Sequence, residues 1–261
     1  MAEYDTIRMD RAGARGIAID EGLRAHMNKV YSLMSVGMLV TAAAAWAMST
    51  LSVTIDPALA AAQIGTDKYL TQFGAALYLS PLKWLVMFAP LAFVFAFGAM
   101  INRMSASAAQ MTFWVFGAVM GLSIASIFAV FTGISIAQAF FATAAGFGAL
   151  SLWGYTTGKD LSGWGSFLIM GVFGLIVASL LNIFFFESTA LQWAVSGIGV
   201  LLFAGLTAYD TQSIKNEYLA MRSTPGGEAY LERGAVMGAL RLYLDFLNMF
   251  LFLLQFMGNR E

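Results

Sequence analysis

The chain has no cysteine, a single histidine and only 11% charged residues among its 261. Without cysteine there can be no disulfide, no thiolate metal site and no cysteine nucleophile. The lone histidine, His26, precedes the first apolar run. That leaves no buried histidine dyad and no multi-histidine metal site. No phosphate-binding glycine loop or other catalytic constellation appears, so an enzyme is not expected and no resident cofactor is implied. The first 26 residues carry Arg8, Arg11, Arg15 and Arg24 without an apolar core, so they do not read as a cleavable signal peptide. These arginines are too sparse, and too free of interleaved aromatics, to hold nucleic acid. Anionic membrane lipid is the expected contact.

What the sequence has in quantity is apolar surface, with 59% hydrophobic residues. They gather in runs of roughly 20, the length that crosses a hydrocarbon core about 30 Å thick. A membrane barrel would show short alternating segments instead. The fold class expected is an all-α integral membrane protein, a seven-helix bundle over 27–258 preceded by a polar cytoplasmic tail, 1–26, that is disordered or surface-lying. The spans fall at about 28–51, 84–101, 108–131, 133–157, 165–186, 190–215 and 236–257. The first connection contains Asp56-Pro57, Asp67, Lys68 and Ser80-Pro81, and is expected at the membrane surface. The last, 216–233, is the most hydrophilic stretch after the tail and turns at Pro225-Gly-Gly227.

An odd number of spans puts the termini on opposite sides, and basic residues choose which is inside. With the N-terminus inside, the inner segments hold Arg8, Arg11, Arg15, Arg24, Lys29, Arg103, Lys159, Lys215, Arg222 and Arg233. The outer segments then hold only Lys68, Lys83 and Arg260. The expected topology is therefore N-in, C-out. Gly117-xxx-Gly121, Gly154-xxx-Gly158 and Gly234-xxx-Gly238 have the spacing of close helix packing, which accounts for them.

Two acidic residues interrupt this apolar sequence, Asp210 in the sixth span and Asp245 in the seventh. A carboxylate at membrane depth costs several kcal/mol unless it is paired, protonated or wetted, so each is a candidate functional group. Asp210 precedes Lys215 by about 7.5 Å of helix, and Asp245 follows the expected start of its span by about 13 Å. Both then lie in the cytoplasmic half, on antiparallel neighbours, where they can meet. Arg241, Asp245, Asn248 and Gln255, at offsets 0, 4, 7 and 14, share one face of the last helix. That face belongs on protein or on a watery path rather than on lipid, which places the last helix inside the bundle.

Two carboxylates within hydrogen-bonding range cannot cheaply both be charged, so they share a proton and titrate as a pair. Such a pair acts as a latch, closed when protonated and free to repel, bind a cation or recruit Arg103 or Arg241 when not. A structural reading stands beside it. Arg241 neutralises Asp245 from one turn away, while Asp210 pairs with Lys215 or is hydrated.

Several segments resemble the Bax inhibitor family, the transmembrane Bax inhibitor motif proteins, in a bacterial form. Asn28-Lys-Val-Tyr-Ser-Leu-Met opens the first span, Lys159-Asp-Leu-Ser precedes the fifth and Asn182-Ile-Phe closes it. The specific matches are Tyr209-Asp-Thr-Gln-Ser-Ile and Leu242-Tyr-Leu-Asp-Phe-Leu-Asn-Met-Phe-Leu. The tail and the loop after the first span lie outside the resemblance.

The resemblance implies a seven-helix bundle with a central last helix in the bacterial inner membrane. It also implies a pH-sensitive calcium leak gated by two aspartates, here Asp210 and Asp245, with calcium as a passing ion rather than a cofactor. Asn248 and Gln255 would line the pathway. The family's latch arginine would fall on Arg103. Gln255 stands where many members carry a base, and Arg241 adds a base near the pair. A second reading is an interaction protein that regulates a membrane protease or a cell-death response, through the tail and the 216–233 loop. A third, an intramembrane aspartyl protease, is disfavoured. Its second motif places glycines just before the aspartate, whereas Leu-Tyr-Leu stands there and Gly238 lies seven residues upstream of Asp245.

Overall fold

The computed structural model describes the backbone of residues 2–65 and 68–259, with side chains over 21–65 and 68–259. Asp67 and Arg260, and the side chains of the expected tail before residue 21, lie outside what is described. Seven helical segments are long and apolar enough to cross a membrane: Glu21–Ser52, Leu82–Arg103, Ala106–Val130, Gly133–Thr156, Ser162–Phe186, Thr189–Met221 and Gly227–Met257. The chain is a predominantly helical membrane protein of seven spans, as the apolar runs require.

The spanning helices are α1 (Ala2–Ser52), α3 (Leu82–Met100), α4 (Ala106–Ile124), α6 (Gly133–Thr156), α7 (Gly165–Leu181), α8 (Thr189–Met221) and α9 (Gly227–Met257). Between them lie the short α2 (Gln72–Tyr78) and α5 (Ile127–Val130). Hydroxyl side chains start several of them: Ser105, Thr132 and Ser188 accept hydrogen bonds from Ala108, Ser135 and Leu191 backbone N–H groups. Such caps satisfy donors that helix geometry leaves without a partner.

Three differences from the sequence reading have physical causes. The stretch 216–233 is mostly helix, because α8 runs on to Met221 and α9 begins at Gly227, leaving a short turn with Gly226 at φ 78°. Polar residues there form no loop because they bond across the two helices: Tyr230 donates to Glu217 at 2.7 Å and Arg241 pairs with Glu217 at 3.5 Å. The expected boundary at residue 26 also moves. Leu23, Met27 and Val30 are buried at helical spacing, so this part of α1 belongs to the bundle. Finally, the connection after α1 folds into a small antiparallel sheet, β1 (Val53–Thr54), β2 (Ala62–Gln63) and β3 (Tyr69–Leu70), in the order β1-β3-β2.

Helix α9 packs on α8, α1, α6 and α4, whereas α3 leans on α4 and α7 on α8. The most apolar window of α9 is 61% buried and that of α7 only 11%. The last helix is therefore the axis of the bundle. Small residues let the shell close on it. A Cβ on Gly121 would lie 2.4 Å from the Thr41 carbonyl oxygen, where α1 crosses α4. One on Gly154 would lie 2.3 Å from that of Ala208, where α6 crosses α8. Gly158 and Gly234, by contrast, face open space, so their place in the spacing pattern is incidental. At the core, Tyr243 and Thr41 hydroxyls meet at 2.6 Å, and Thr41 lies 2.8 Å from the Gly117 carbonyl oxygen. This joins α9, α1 and α4 through groups with no access to water.

Candidate functional site

Asp210 and Asp245 come from α8 and α9, the most extensively packed pair of helices. Their carboxyl groups reach each other as side-chain hydrogen-bond partners. Asp245 is buried at 4% exposure, while Asp210 is half-buried. Among the described residues, no donor reaches Asp245 Oδ2. Two ionised carboxylates are acceptors only, so they cannot hydrogen-bond to each other. A proton held between them turns one into a donor and satisfies both.

The positive charge acting on both carboxyl groups is Arg241. Its direct ion pair, however, is with Glu217, a residue that the sequence reading left out. Glu217 follows Asp210 by two turns on α8, and that spacing on a polar face is the signal that could have found it. Arg103 lies exposed in the short 3-10 turn Ile101–Arg103 that follows α3, and it is not among the charges acting on the pair. Nor does Lys215 pair with Asp210. Its Nζ donates to the Tyr155 carbonyl at 2.7 Å and stands over the Tyr155 ring.

Other residues of the Tyr-Asp-Thr-Gln segment hold Asp210 in place. Thr211 meets Ser151 at 2.9 Å, and Ser151 meets Tyr31 at 2.7 Å, which ties α8 to α6 and α1. Gln212 Nε2 donates to the Lys159 carbonyl and Gln212 Oε1 accepts from the Leu161 N–H, both at 2.8 Å. The turn Lys159-Asp-Leu-Ser is thus pinned to α8 by the residue two after Asp210. A glutamine serves here because one side chain both donates and accepts.

Asn248 and Gln255 continue the polar face of α9 away from the pair. Asn248 is half-buried, with Nδ2 donating to the Leu244 carbonyl at 2.8 Å. Gln255 is exposed and its Oε1 accepts from Ser196 at 3.3 Å. Both line a cavity of about 500 Å³ at the end of the bundle where α7 and α9 finish and α8 begins. Among the described residues, no three His, Cys, Asp or Glu side chains gather as they would around a bound metal. Two carboxylates suit a cation in transit better than a resident one, which takes six or more oxygen ligands.

Comparison with known proteins agrees with this architecture. Residues 23–261 match the family described as inhibitor of apoptosis-promoting Bax1. The chain is 43% identical over 242 residues to the inner membrane protein YbhL of Escherichia coli, covering 92% of this chain and 94% of that protein. It is 41% identical over 257 residues to an uncharacterized protein of Caulobacter vibrioides, covering 98% and 96%. A further uncharacterized protein, from Borreliella burgdorferi, is 37% identical over 234 residues, covering 89% and 91%. Seven apolar helices around a central last helix, a carboxyl pair between α8 and α9, and a match over nearly the whole chain together place this protein in the Bax inhibitor family, as a bacterial integral protein of the inner membrane.

Proposed function

We propose that the protein is a pH-sensitive cation leak, with calcium as the permeant ion, gated by Asp210 and Asp245. The observation that supports this most is the meeting of two carboxyl groups between antiparallel helices inside an otherwise apolar bundle. When one proton is shared, the pair ties α8 to α9 and leaves no net path for a cation. When the proton leaves, two negative groups face each other at short range. They then separate, accept a divalent cation or draw in Arg241, which Glu217 otherwise holds.

The same geometry supports Arg241 rather than Arg103 as the base that answers this change, since Arg241 already acts on both carboxyls. With the N-terminus inside, the pair lies nearer the cytoplasm and the amide-lined cavity faces outward. Purified protein in calcium-free liposomes, loaded with a calcium indicator, tests the reading directly. Flux is expected to depend on pH, and Asp210→Asn combined with Asp245→Asn is expected to remove that dependence. Absence of flux in the unmodified protein, or an unchanged pH profile in the double variant, would falsify it.

A further inference from the structure

The polar cavity at the far end of α9 is built by an unusual piece of backbone. Helix α7 does not stop in a normal cap but widens into a π-helical turn, Asn182–Phe186. Such turns are rare and cluster at functional sites. The turn ends at Glu187, which has φ 45°, ψ 31° and is the one non-glycine residue with positive φ among those described. Asn182 clamps both sides of this bend. Its backbone carbonyl accepts from the Glu187 N–H at 2.8 Å and its Oδ1 accepts from the Ser188 N–H at 2.9 Å. A left-handed conformation is uphill for glutamate, and these bonds hold it there. The result brings Glu187 to the cavity, together with Asn182, Gln192, Asn248 and Gln255.

Apolar surface, from side chains such as Leu251 and Phe252, lines more of the cavity than polar surface does. The polar part carries one charge, the Glu187 carboxylate, and four amides. Of these, the Asn182 and Gln255 oxygens already accept from the Ser188 N–H and the Ser196 hydroxyl, and so meet an ion through its water. Hard divalent cations take such ligands, and a lining with one carboxylate suits an ion that keeps most of its water. At roughly 30 Å³ per water, a cavity of about 500 Å³ has room for a hydrated ion. Asn248 lies three residues from Asp245 on the same face, about 4.5 Å along the axis. Asn248 thus carries the polar face of α9 from the cavity lining to within one turn of Asp245.

We infer that this cavity is a binding vestibule for a hydrated divalent cation, with the Glu187 carboxylate as its charge and Asn182, Gln192, Asn248 and Gln255 as its neutral donors. The inference deepens the cation-leak reading and rests on it for its role, but the site can be tested without flux. Trp193 follows Gln192 directly, so terbium, a luminescent calcium stand-in, bound in the vestibule is within reach of tryptophan sensitisation.

The experiment uses the full-length protein in nanodiscs, titrated with terbium and then displaced with calcium. Glu187→Asn is the informative variant, because asparagine accepts the left-handed backbone while removing the charge. It is expected to weaken terbium binding and raise the half-saturating calcium for flux by roughly five-fold, with maximal flux retained. Glu187→Asp should restore both, and the Glu187-dependent part of terbium binding should persist in Asp210→Asn with Asp245→Asn. Unchanged terbium binding in Glu187→Asn, or failure of Glu187→Asp to restore it, overturns the vestibule even where the unmodified protein conducts. Glu187-dependent binding in a protein without flux keeps the site and removes the leak.

Discussion

The packed stretch of α9 and its last turn are opposites. From Val236 to Phe250 most side chains are buried, Leu242 and Tyr243 with no exposed surface, and Asp245 lies among them. From Gln255 to Met257 the side chains are exposed, and the polar face opens on a cavity. The same stripe therefore meets a tight packed wall at one end and a wide amide-lined space at the other. Burial decides what each end can do. A carboxyl group in the packed stretch must hold a proton or a partner. A polar group in the open turn keeps water, and so can exchange it for an ion.

The difference is broken most completely by neutralising the packed stretch. Asp210→Asn with Asp245→Asn should abolish the pH dependence of calcium flux in proteoliposomes, whereas Gln255→Leu, at the open end, should leave that dependence in place. Packing should show the next largest effect. Gly154→Leu forces a side chain onto the Ala208 carbonyl oxygen and should cost about 3 kcal/mol or more, read as a clear fall in the melting temperature in detergent. Gly234→Leu, facing open space, should change it little.

Tyr243→Phe should destabilise by about 1 kcal/mol, because Thr41 loses a buried hydroxyl partner. Arg241→Gln removes a pair whose members are about one-third exposed and should cost well under 1 kcal/mol in melting experiments. Smallest is the effect at Asp160, in the turn before α7. Its carboxylate accepts from the Ser162 N–H and hydroxyl, which holds it below the usual carboxylate range. A depressed carboxylate stabilises above its ordinary range and loses that contribution as pH falls through its folded value. Asp160→Asn should therefore lower the melting temperature slightly at neutral pH and hardly at all in acid.

Much of this arrangement was legible beforehand. The seven spans follow from run length, and the interior position of α9 follows from a polar stripe that lipid would not accept. The meeting of Asp210 with Asp245 followed from counting residues back to a shared turn. What was missed lies where helices are joined by side chains rather than by period. Glu217 reads as an ordinary surface acid until Arg241 and Tyr230 are seen to converge on it. The hydrophilic 216–233 stretch likewise reads as a loop, since composition alone cannot show that two polar helix ends bond to each other. The π-helical turn at Asn182 and the bend at Glu187 carry no periodic signal at all.

By itself, then, the sequence determined that this is a seven-span membrane protein with two carboxyl groups at similar depth. Hydrocarbon admits only backbone that satisfies its own hydrogen bonds, and apolar run length counts the helices that do so. Tertiary structure decided which charge attends those carboxyls. Arg241 rather than Arg103 acts on them, because it stands one turn from Asp245 on α9 itself while the Arg103 side chain is exposed in the turn after α3. It also decided where the polar stripe meets space, since a cavity belongs to the fit of three helix ends and to no one of them.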